Sequence, residues 1–364
     1  MKRVLAAMLA FAAAAMISGT PAAAQQAKEL GVPAGKPYAH APSGLQLPAT
    51  LAGAPRIKAI TIGEDLLDVS ANYESSNRAE LLSLYVYRQA SGALPVWFDR
   101  ARWAIENRSD VYGKPVTAVG APSFVPPGQQ TASGLIATYT LNKGPYRSTG
   151  VAILPFGAWL VKLRYSSKTM EAASLATAMR TALAELEWPG TVPAAPPAVP
   201  ITDCSTPLAA SGKSRPVPAD FKAMLMTALV GAAARTSSME DAPSTRSVSW
   251  CRDTTALKEG TVYRPDAATD RYLIALSDAG RGVLVDPSPA NSLPLEGKPA
   301  APSWNVAFVD LGTTAYFQAQ DRLPSPSHVL KQVVRGSVSS RVVTHGKKRD
   351  IDISRGALGS PSAK

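Results

Sequence analysis

The sequence is poor in the residues that usually carry catalysis and metal binding. Its 364 residues include two cysteines and three histidines, and 7% of them are aromatic. The cysteines, Cys204 and Cys251, are far outside the Cys-x-x-Cys spacing of redox and zinc sites. No group of acids has the alternating ligands and central glycine of a calcium loop. The composition therefore predicts that the protein uses no metal and no cofactor.

The motifs of the common serine enzymes are also missing. Neither Gly-x-Ser-x-Gly nor Ser-x-x-Lys occurs in the chain. His40 lies in a proline-rich segment and His345 in a basic one, so only His328 adjoins a clear structural pattern, the start of a predicted helix. A solvent-facing or capping role is the simpler interpretation of His328. The sequence therefore favours a non-catalytic protein, and its alternative is a hydrolase whose site is assembled from distant residues around Ser327 and His328.

Apolar runs long enough to cross a bilayer are missing as well. Residues 1–24 begin with Lys2 and Arg3, continue through an apolar core over residues 4–17, and end in three alanines. This is the three-part pattern of a secretory signal peptide, and its core is shorter than the roughly 20 residues that a membrane span requires. We expect cleavage near Ala24, a mature chain without a transmembrane segment, and a periplasmic or secreted location.

An exported protein with two cysteines is most simply crosslinked once. Cys204 and Cys251 are predicted to form a disulfide, because the compartment outside the cytoplasm is oxidising. Free thiols or an intermolecular bond are the alternatives.

Composition divides the chain into segments. Residues 25–55 contain many Ala, Pro and Gly residues and few large apolar ones, and are predicted to be a lead-in without packed structure. Prolines recur between residues 189 and 200, as is typical of a semi-rigid spacer. The predicted segments are the signal peptide (1–24), the lead-in (25–55), a first domain (56–188), a linker (189–202), a second domain (203–343) and a basic disordered tail (344–364).

Strand and helix patterns alternate in both predicted domains, which indicates an α+β fold. In the first domain the patterns predict strands over 57–62, 81–87, 116–119 and 135–141, a helix from Pro95, a hairpin over 151–165 that turns at 154–157, and a closing helix capped by Thr169. In the second they predict a helix over 220–235, a strand over 247–251, a hairpin over 271–285, strands over 306–309 and 313–318, a helix over 327–334 and a strand over 338–343.

Three segments of the first domain resemble a known fold. They are LYVYR (84–88), VWFDRARWAIENR (96–108) and AWLVKLRYS (158–166), and the last precedes an Ala- and Leu-rich helix. Their order and character are similar to the PsbP-like family, named for an extrinsic photosystem protein, over about residues 50–190. The resemblance implies an antiparallel sheet with helices packed on it, an α/β/α sandwich, and it implies a binding or adaptor role without catalytic residues.

Two cations of the first domain stand out. Lys162 and Arg164 share one face of a predicted strand with Leu160, while apolar residues line the other face. If only the apolar face is covered, the two cations are open to an anionic ligand. The alternative is cross-strand pairing with acids on a neighbouring strand.

The basic charge of the chain is concentrated near its end. Residues 331–364 carry eight Lys and Arg against two Asp. Lys347, Lys348 and Arg349 are candidates for contact with an anionic surface, and a solvated tail without a partner is the alternative. The tail has no aromatic residues for base stacking, so we expect no nucleic acid partner. Together these features predict an exported, non-catalytic accessory or binding protein of the cell envelope, whose ligand and partner are unknown.

Overall fold

Two β-sheets organise the chain, and each is formed by one half of the sequence. The computed structural model describes residues 27–63, 65–113, 117–118, 122–218, 225, 227, 229, 248–289, 301–346 and 350–354. The predicted signal peptide and most of the helix predicted over 220–235 lie outside these ranges. The sheet-rich mixture of strands and helices confirms the α+β class. None of the helices in the described ranges is long and apolar enough to cross a membrane.

The first half of the chain contributes twelve strands and three helices among the described residues. They are β1 (Ala27–Glu29), β2 (Tyr38–Ala39), β3 (Gln46–Leu47), β4 (Thr50–Leu51), β5 (Ala54–Ile62), β6 (Asp68–Glu74), β7 (Glu80–Arg88), α1 (Leu94–Glu106), α2 (Ser109–Tyr112), β8 (Thr117–Ala118), β9 (Ser123–Phe124), β10 (Gly134–Thr140), β11 (Ser148–Phe156), β12 (Trp159–Ser167) and α3 (Ala172–Ala184). The first sheet has the order β1-β5-β6-β7-β12-β11-β10-β8, with β4 beside β5 and β9 beside β10. A separate hairpin joins β2 to β3.

The hairpin β11–β12 lies near the middle of the first sheet. Its turn is Gly157-Ala158 rather than the predicted 154–157, since Phe156 pairs directly with Trp159. Gly157 has a φ of +57°, which glycine adopts without the steric cost of a Cβ. The closing helix follows, but it begins at Ala172 with Glu171 as N-cap instead of Thr169. The turn is later than predicted because Pro155 is accommodated within β11, opposite Leu160.

Helices α1 and α3 cover opposite faces of the first sheet. On the α3 side, the sulfur of Met179 lies against the Cα of Gly150 so closely that an added Cβ would be 2.7 Å away. On the other side, Glu106 of α1 accepts a 2.8 Å hydrogen bond from the hydroxyl of Tyr139 on β10. Successive strand residues therefore face different helices. Strand β11 is buried on both faces over residues 148–154 and β12 over residues 159–163.

The later part of the predicted lead-in, residues 40–55, is packed, which corrects the sequence interpretation. Leu45 and Leu47 are fully buried and Leu51 is 1% exposed, all within the core of the first sheet. The hydroxyl of Tyr73 donates to the carbonyl of Pro48 at 3.1 Å, and Arg56 donates to the same carbonyl at 3.1 Å. A few spaced leucines are sufficient to bury this segment, although its overall composition is that of an unpacked chain.

The second half of the chain forms a meander. Its elements are β13 (Thr202–Asp203), β14 (Trp250–Arg252), β15 (Thr261–Pro265), β16 (Tyr272–Ala275), β17 (Gly282–Pro287), β18 (Trp304–Val309), β19 (Thr313–Gln320), α4 (Pro326–Arg335), β20 (Val338–Val343) and β21 (Ile351–Ile353). The strands pair in sequence order, with β13 parallel to β14 and the others antiparallel. Strand β21 pairs with β20, so part of the tail predicted from residue 344 belongs to the sheet.

Alternate residues of β16 join two different cores. Tyr272 and Ile274 pack with Val329 of α4 on one face of the second sheet. Leu273 and Ala275 face the other way and belong to the same core as Trp97 of α1 and the first sheet. The two sheets are therefore packed on each other through α1 and the β16–β17 turn, and the chain passes from one sheet to the other in the proline-rich segment 189–202.

Gly280 is expected to be sensitive to substitution because it brings the second sheet onto the first. Its φ is +82°, and a Cβ there would lie 2.9 Å from Leu311 and 3.1 Å from the carbonyl of Arg88. We expect Gly280→Ala to lower the free energy of unfolding by about 2 kcal/mol, from the left-handed backbone and the overlap together. Gly53→Ala is the control, since Gly53 has a φ of +73° with nothing within 4 Å. Equal losses in urea unfolding would contradict the close approach of the sheets.

Candidate ligand site between the sheets

Lys162 is buried beneath the turn between β16 and β17. Its side chain is 3% exposed, and its Nζ lies 2.9 Å from Oδ2 of Asp278 and donates to the Asp278 carbonyl at 3.1 Å. The ammonium also lies 4.5 Å from the ring centroid of Tyr85 and 5.4 Å from that of Tyr87. The direct partner of Lys162 is thus an acid of the second sheet, whereas the alternative from the sequence placed the acid on a neighbouring strand.

Three cations act on the single carboxylate of Asp278. Burial pushes the pKa of Asp278 upward, but the charges of Lys162, Arg164 and Arg100 outweigh this effect and hold the pKa below its ordinary value. We call Arg100, Lys162, Arg164 and Asp278 the cationic site. Asp99 also acts on Arg100 and Asp68 on Lys162, so Arg164 is the cation of this site that has neither an ion pair nor a side-chain hydrogen bond among the described residues.

Arg100 enters the cationic site from α1. It is 6% exposed, and its Nη1 donates to the hydroxyl of Thr261 at 2.6 Å. Its guanidinium lies 4.6 Å from the ring centroid of Trp103, one helical turn further on. Burial lowers the pKa of Arg100. Among the described residues Arg100 forms no ion pair within 4 Å, and its charge is compensated by the Thr261 hydroxyl, the Trp103 ring and the charges of Asp278 and Asp99.

A second charged group beside the cationic site is already compensated. Arg281 lies between two acids, with Nη1 2.7 Å from Asp68 and Nε 2.9 Å from Asp310. Burial raises the pKa of Asp68 although Arg281 opposes the shift. This group joins β6 to the second sheet and needs no added anion.

A polar row crosses the first sheet on the face that carries Lys162. Lys58 on β5 pairs with Asn72 on β6, Asn72 with Ser83 on β7, and Ser83 with Arg164 on β12. Directly paired residues project from the same face of a sheet. Asn72, Ser83 and Arg164 are half-buried, and Lys58 is exposed and pairs with Glu29 at 3.6 Å. We call Asn72, Ser83 and Arg164 the polar row.

The polar row has unused hydrogen-bonding groups. The Nε of Arg164 is buried and has no hydrogen-bond partner in the described part of the chain. The side chains of Asn72 and Ser83 likewise make no hydrogen bond to another described residue. Nearby, the hydroxyl of the fully buried Tyr87 also has no partner there. Amide, hydroxyl and guanidinium donors therefore meet at one place, which is the chemistry of an anion site.

The remaining predicted residues lie elsewhere. Lys347, Lys348 and Arg349 are outside the described residues. The disulfide between Cys204 and Cys251 is formed and ties β14 to the residue that follows β13, so that prediction is confirmed. Within the described ranges, no three His, Cys, Asp or Glu side chains converge as metal ligands.

His328 lies in the first turn of α4, where its backbone N–H donates to the N-cap Ser325 at 3.4 Å. Its imidazole makes no hydrogen bond to a described residue, and the hydroxyl of Ser327 contacts that of Ser325 at 3.4 Å. The structure therefore does not bring His328 together with a serine and a carboxylate among the described residues.

His40 makes a different serine contact. Its Nδ1 lies 2.6 Å from the hydroxyl of Ser43, and its Nε2 lies 2.7 Å from the carbonyl of Leu66. His40 is fully buried and its ring packs edge-on against Trp159 at a centroid distance of 5.0 Å. These bonds fasten the lead-in to the first sheet. The carbonyl of His40 already accepts from the N–H groups of Ser43 and Gly44, so these two donors are not free to form an oxyanion hole.

Acidification is expected to destabilise the protein through His40. Burial lowers the pKa of His40 from its ordinary value of 6.5, although the hydrogen bond to Leu66 opposes the shift. Below pH 6.5 the unfolded chain binds a proton that the folded chain resists, so stability falls as the pH drops from 6.5 toward the folded pKa. Urea unfolding at pH 7.5 and pH 5.5 checks this effect. His40→Gln should show a smaller difference between the two pH values and His328→Gln an unchanged one; an unchanged difference in His40→Gln would contradict it.

Comparison of the chain with protein-family models, with curated proteins and with solved structures found no match.

The sequence contained a signal for part of this site. Residues 68–74 alternate Asp, Ser, Asn and Glu with Val, Ala and Tyr, which is the pattern of a strand with one polar face. That pattern identifies Asn72 as a surface donor of a strand. By contrast, nothing in the sequence around Asp278 indicates that it contacts Lys162, because the contact depends on how the two sheets pack.

Proposed function

We propose that this chain is an exported, non-catalytic accessory or binding protein of the cell envelope that binds an anionic ligand at the cationic site. The observation that carries the proposal is the buried Nε of Arg164, which has no hydrogen-bond partner among the described residues although Ser83 and Asn72 lie beside it on the same face of the sheet. Removing a charge from water costs several kcal/mol unless an opposite charge or hydrogen bonds compensate it. An anion beside Arg164 would supply that compensation, and Arg164 is only half-buried, so a ligand can reach it from solvent.

The proposal includes three further features: the α/β/α sandwich architecture, export from the cytoplasm and contact of the basic segment with an anionic surface. The placement of α1 and α3 on opposite faces of the first sheet is consistent with the α/β/α sandwich, and the PsbP-like resemblance stays a proposal. The formed disulfide is consistent with cleavage of residues 1–24 on export to the periplasm or beyond. Lys347, Lys348 and Arg349 remain the candidate contact with an anionic envelope surface.

The proposal is tested by thermal unfolding of the mature chain with a panel of small anions at constant ionic strength. A ligand that binds only the folded state stabilises it progressively, by about 2.7 kcal/mol at a concentration 100 times its Kd. We expect at least one anion to raise the midpoint of the wild type and of Arg180→Gln, an exposed control on α3, and to have little effect on Arg164→Gln. Equal responses of the three proteins would refute binding at the cationic site.

A reactive-serine probe distinguishes the hydrolase alternative around Ser327 and His328 from the non-catalytic binding function. We expect no labelling of the mature chain, because no described serine is aligned with a free base and an oxyanion hole. Labelling at one serine, lost on substitution of His328 or His40, would favour the hydrolase.

A further inference from the structure

The polar row limits the shape and charge of the ligand more narrowly than the cationic site does. Neighbouring strands are about 4.8 Å apart, so Asn72, Ser83 and Arg164 on three adjacent strands span about 10 Å along a line across the sheet. The central member, Ser83, is short, and the outer two are long enough to lean toward it. A small group above Ser83 therefore lies within reach of all three donors.

The free charge beside the row is a single positive one. Lys162 is paired with Asp278, and Arg281 with Asp68 and Asp310. Arg100 donates to Thr261, and the charges of Asp278 and Asp99 act on it. Arg164 is the cation of the polar row itself, and it forms no ion pair among the described residues. A ligand with one negative charge therefore matches this site better than a ligand with two.

An acid on the same face strengthens this preference. Glu74 lies two residues beyond Asn72 on β6, and both side chains project from one face of the strand. The negative charge of Glu74 disfavours a dianion near Asn72 more strongly than a monoanion. The guanidinium of Arg164 is a planar fork, which binds a planar carboxylate through two parallel hydrogen bonds.

We infer that the ligand is a small-molecule carboxylate, whose two oxygens accept from the guanidinium of Arg164 and from the side chains of Asn72 and Ser83. This inference rests on the proposed function and specifies its ligand class. The buried Nε of Arg164 is one of the two guanidinium donors to the carboxylate. The ligand thus gives a partner to a polar atom that has none among the described residues.

The test is a titration of the ¹⁵N-labelled mature chain with sodium acetate, and separately with inorganic phosphate, at matched ionic strength. The reporter is the Nε–H resonance of Arg164, assigned as the signal missing in Arg164→Gln or, if that variant does not fold, in Arg164→Lys. We expect a saturable shift with acetate and a smaller one with phosphate. Asn72→Ala and Ser83→Ala should each weaken acetate binding about tenfold, since each removes a hydrogen bond to a charged group, and Arg180→Gln should leave it unchanged.

The outcomes separate the two proposals. A saturable shift with phosphate but not with acetate overturns the carboxylate inference and leaves the anion-binding function standing. Acetate binding that is unchanged in both Asn72→Ala and Ser83→Ala also overturns the inference, because the polar row would then take no part. If no anion shifts the Arg164 resonance, both the inference and the proposed function at this site are refuted.

Discussion

Replacing Asp278 with alanine is expected to lower the free energy of unfolding by about 3 kcal/mol. The substitution removes the carboxylate 2.9 Å from Lys162, whose side chain is 3% exposed, and leaves a buried ammonium without its counter-charge. The carbonyl of residue 278 still accepts from Lys162, which places the expected loss at the lower end for a broken buried pair. Urea unfolding measures the effect.

Two variants make this prediction specific. Asp278→Ala combined with Lys162→Met removes both charges and should recover much of the loss, because a buried hydrophobic side chain often replaces an ion pair without cost. Asp321→Ala removes an exposed pair with Arg322, 3.1 Å apart, and a hydrogen bond from the backbone N–H of Arg215, and should cost clearly less because solvent screens these contacts. A loss in Asp278→Ala no larger than in Asp321→Ala would show that Lys162 is not held between the sheets.

Removing the disulfide is expected to cost more. Cys204 and Cys251 are separated by 47 residues, and crosslinking a loop of that length stabilises the folded state by about 4 kcal/mol in the chain-entropy model. The bond holds β13 beside β14 at the edge of the second sheet. The double variant Cys204→Ala with Cys251→Ala should therefore unfold at a clearly lower urea concentration than the wild type.

Urea unfolding of the reduced wild type is the control for the double cysteine variant. Addition of dithiothreitol should bring its unfolding midpoint to that of the double variant and leave the variant itself unchanged. A loss below about 1 kcal/mol would mean that the loop contributes little entropy to the unfolded chain.

The parts of the fold that depend on local pattern were predictable from the sequence. The strands of the hairpins β11–β12 and β16–β17 and the helices α1 and α4 lie where apolar periodicity predicted them, although the turn of β11–β12 comes later than predicted. The disulfide followed from the number of cysteines and the expected compartment. Strand β15 was missed, since its five residues combine apolar, charged and proline side chains without a clear alternation.

The candidate site was predictable only in part because it depends on contacts between distant segments. Alternation placed Lys162 and Arg164 on one face of a strand, and that face does carry both. The expectation that this face is open failed for Lys162, because the β16–β17 turn, more than 110 residues away in the chain, covers it. Arg164, one row further along the same face, remains half-buried and accessible.

The lead-in shows the opposite limitation. Its average composition is that of an unpacked chain, yet Leu45 and Leu47 are fully buried. Composition averages over residues, whereas burial is decided by a few side chains held at the correct spacing. Here the bonds of His40 and Arg56 supply that spacing.

Native mass spectrometry tests the central claim, that the cationic site holds an anionic ligand, most directly. Cells that express residues 1–364 as the wild type, Arg164→Gln or Arg180→Gln supply the protein, which is purified at low ionic strength. We predict that all three chains begin at Gln25. The wild type and Arg180→Gln should carry a small acidic molecule that is released by mild collisional activation, and Arg164→Gln should carry none. Bare chains in all three proteins, or the same bound mass in all three, would contradict the account.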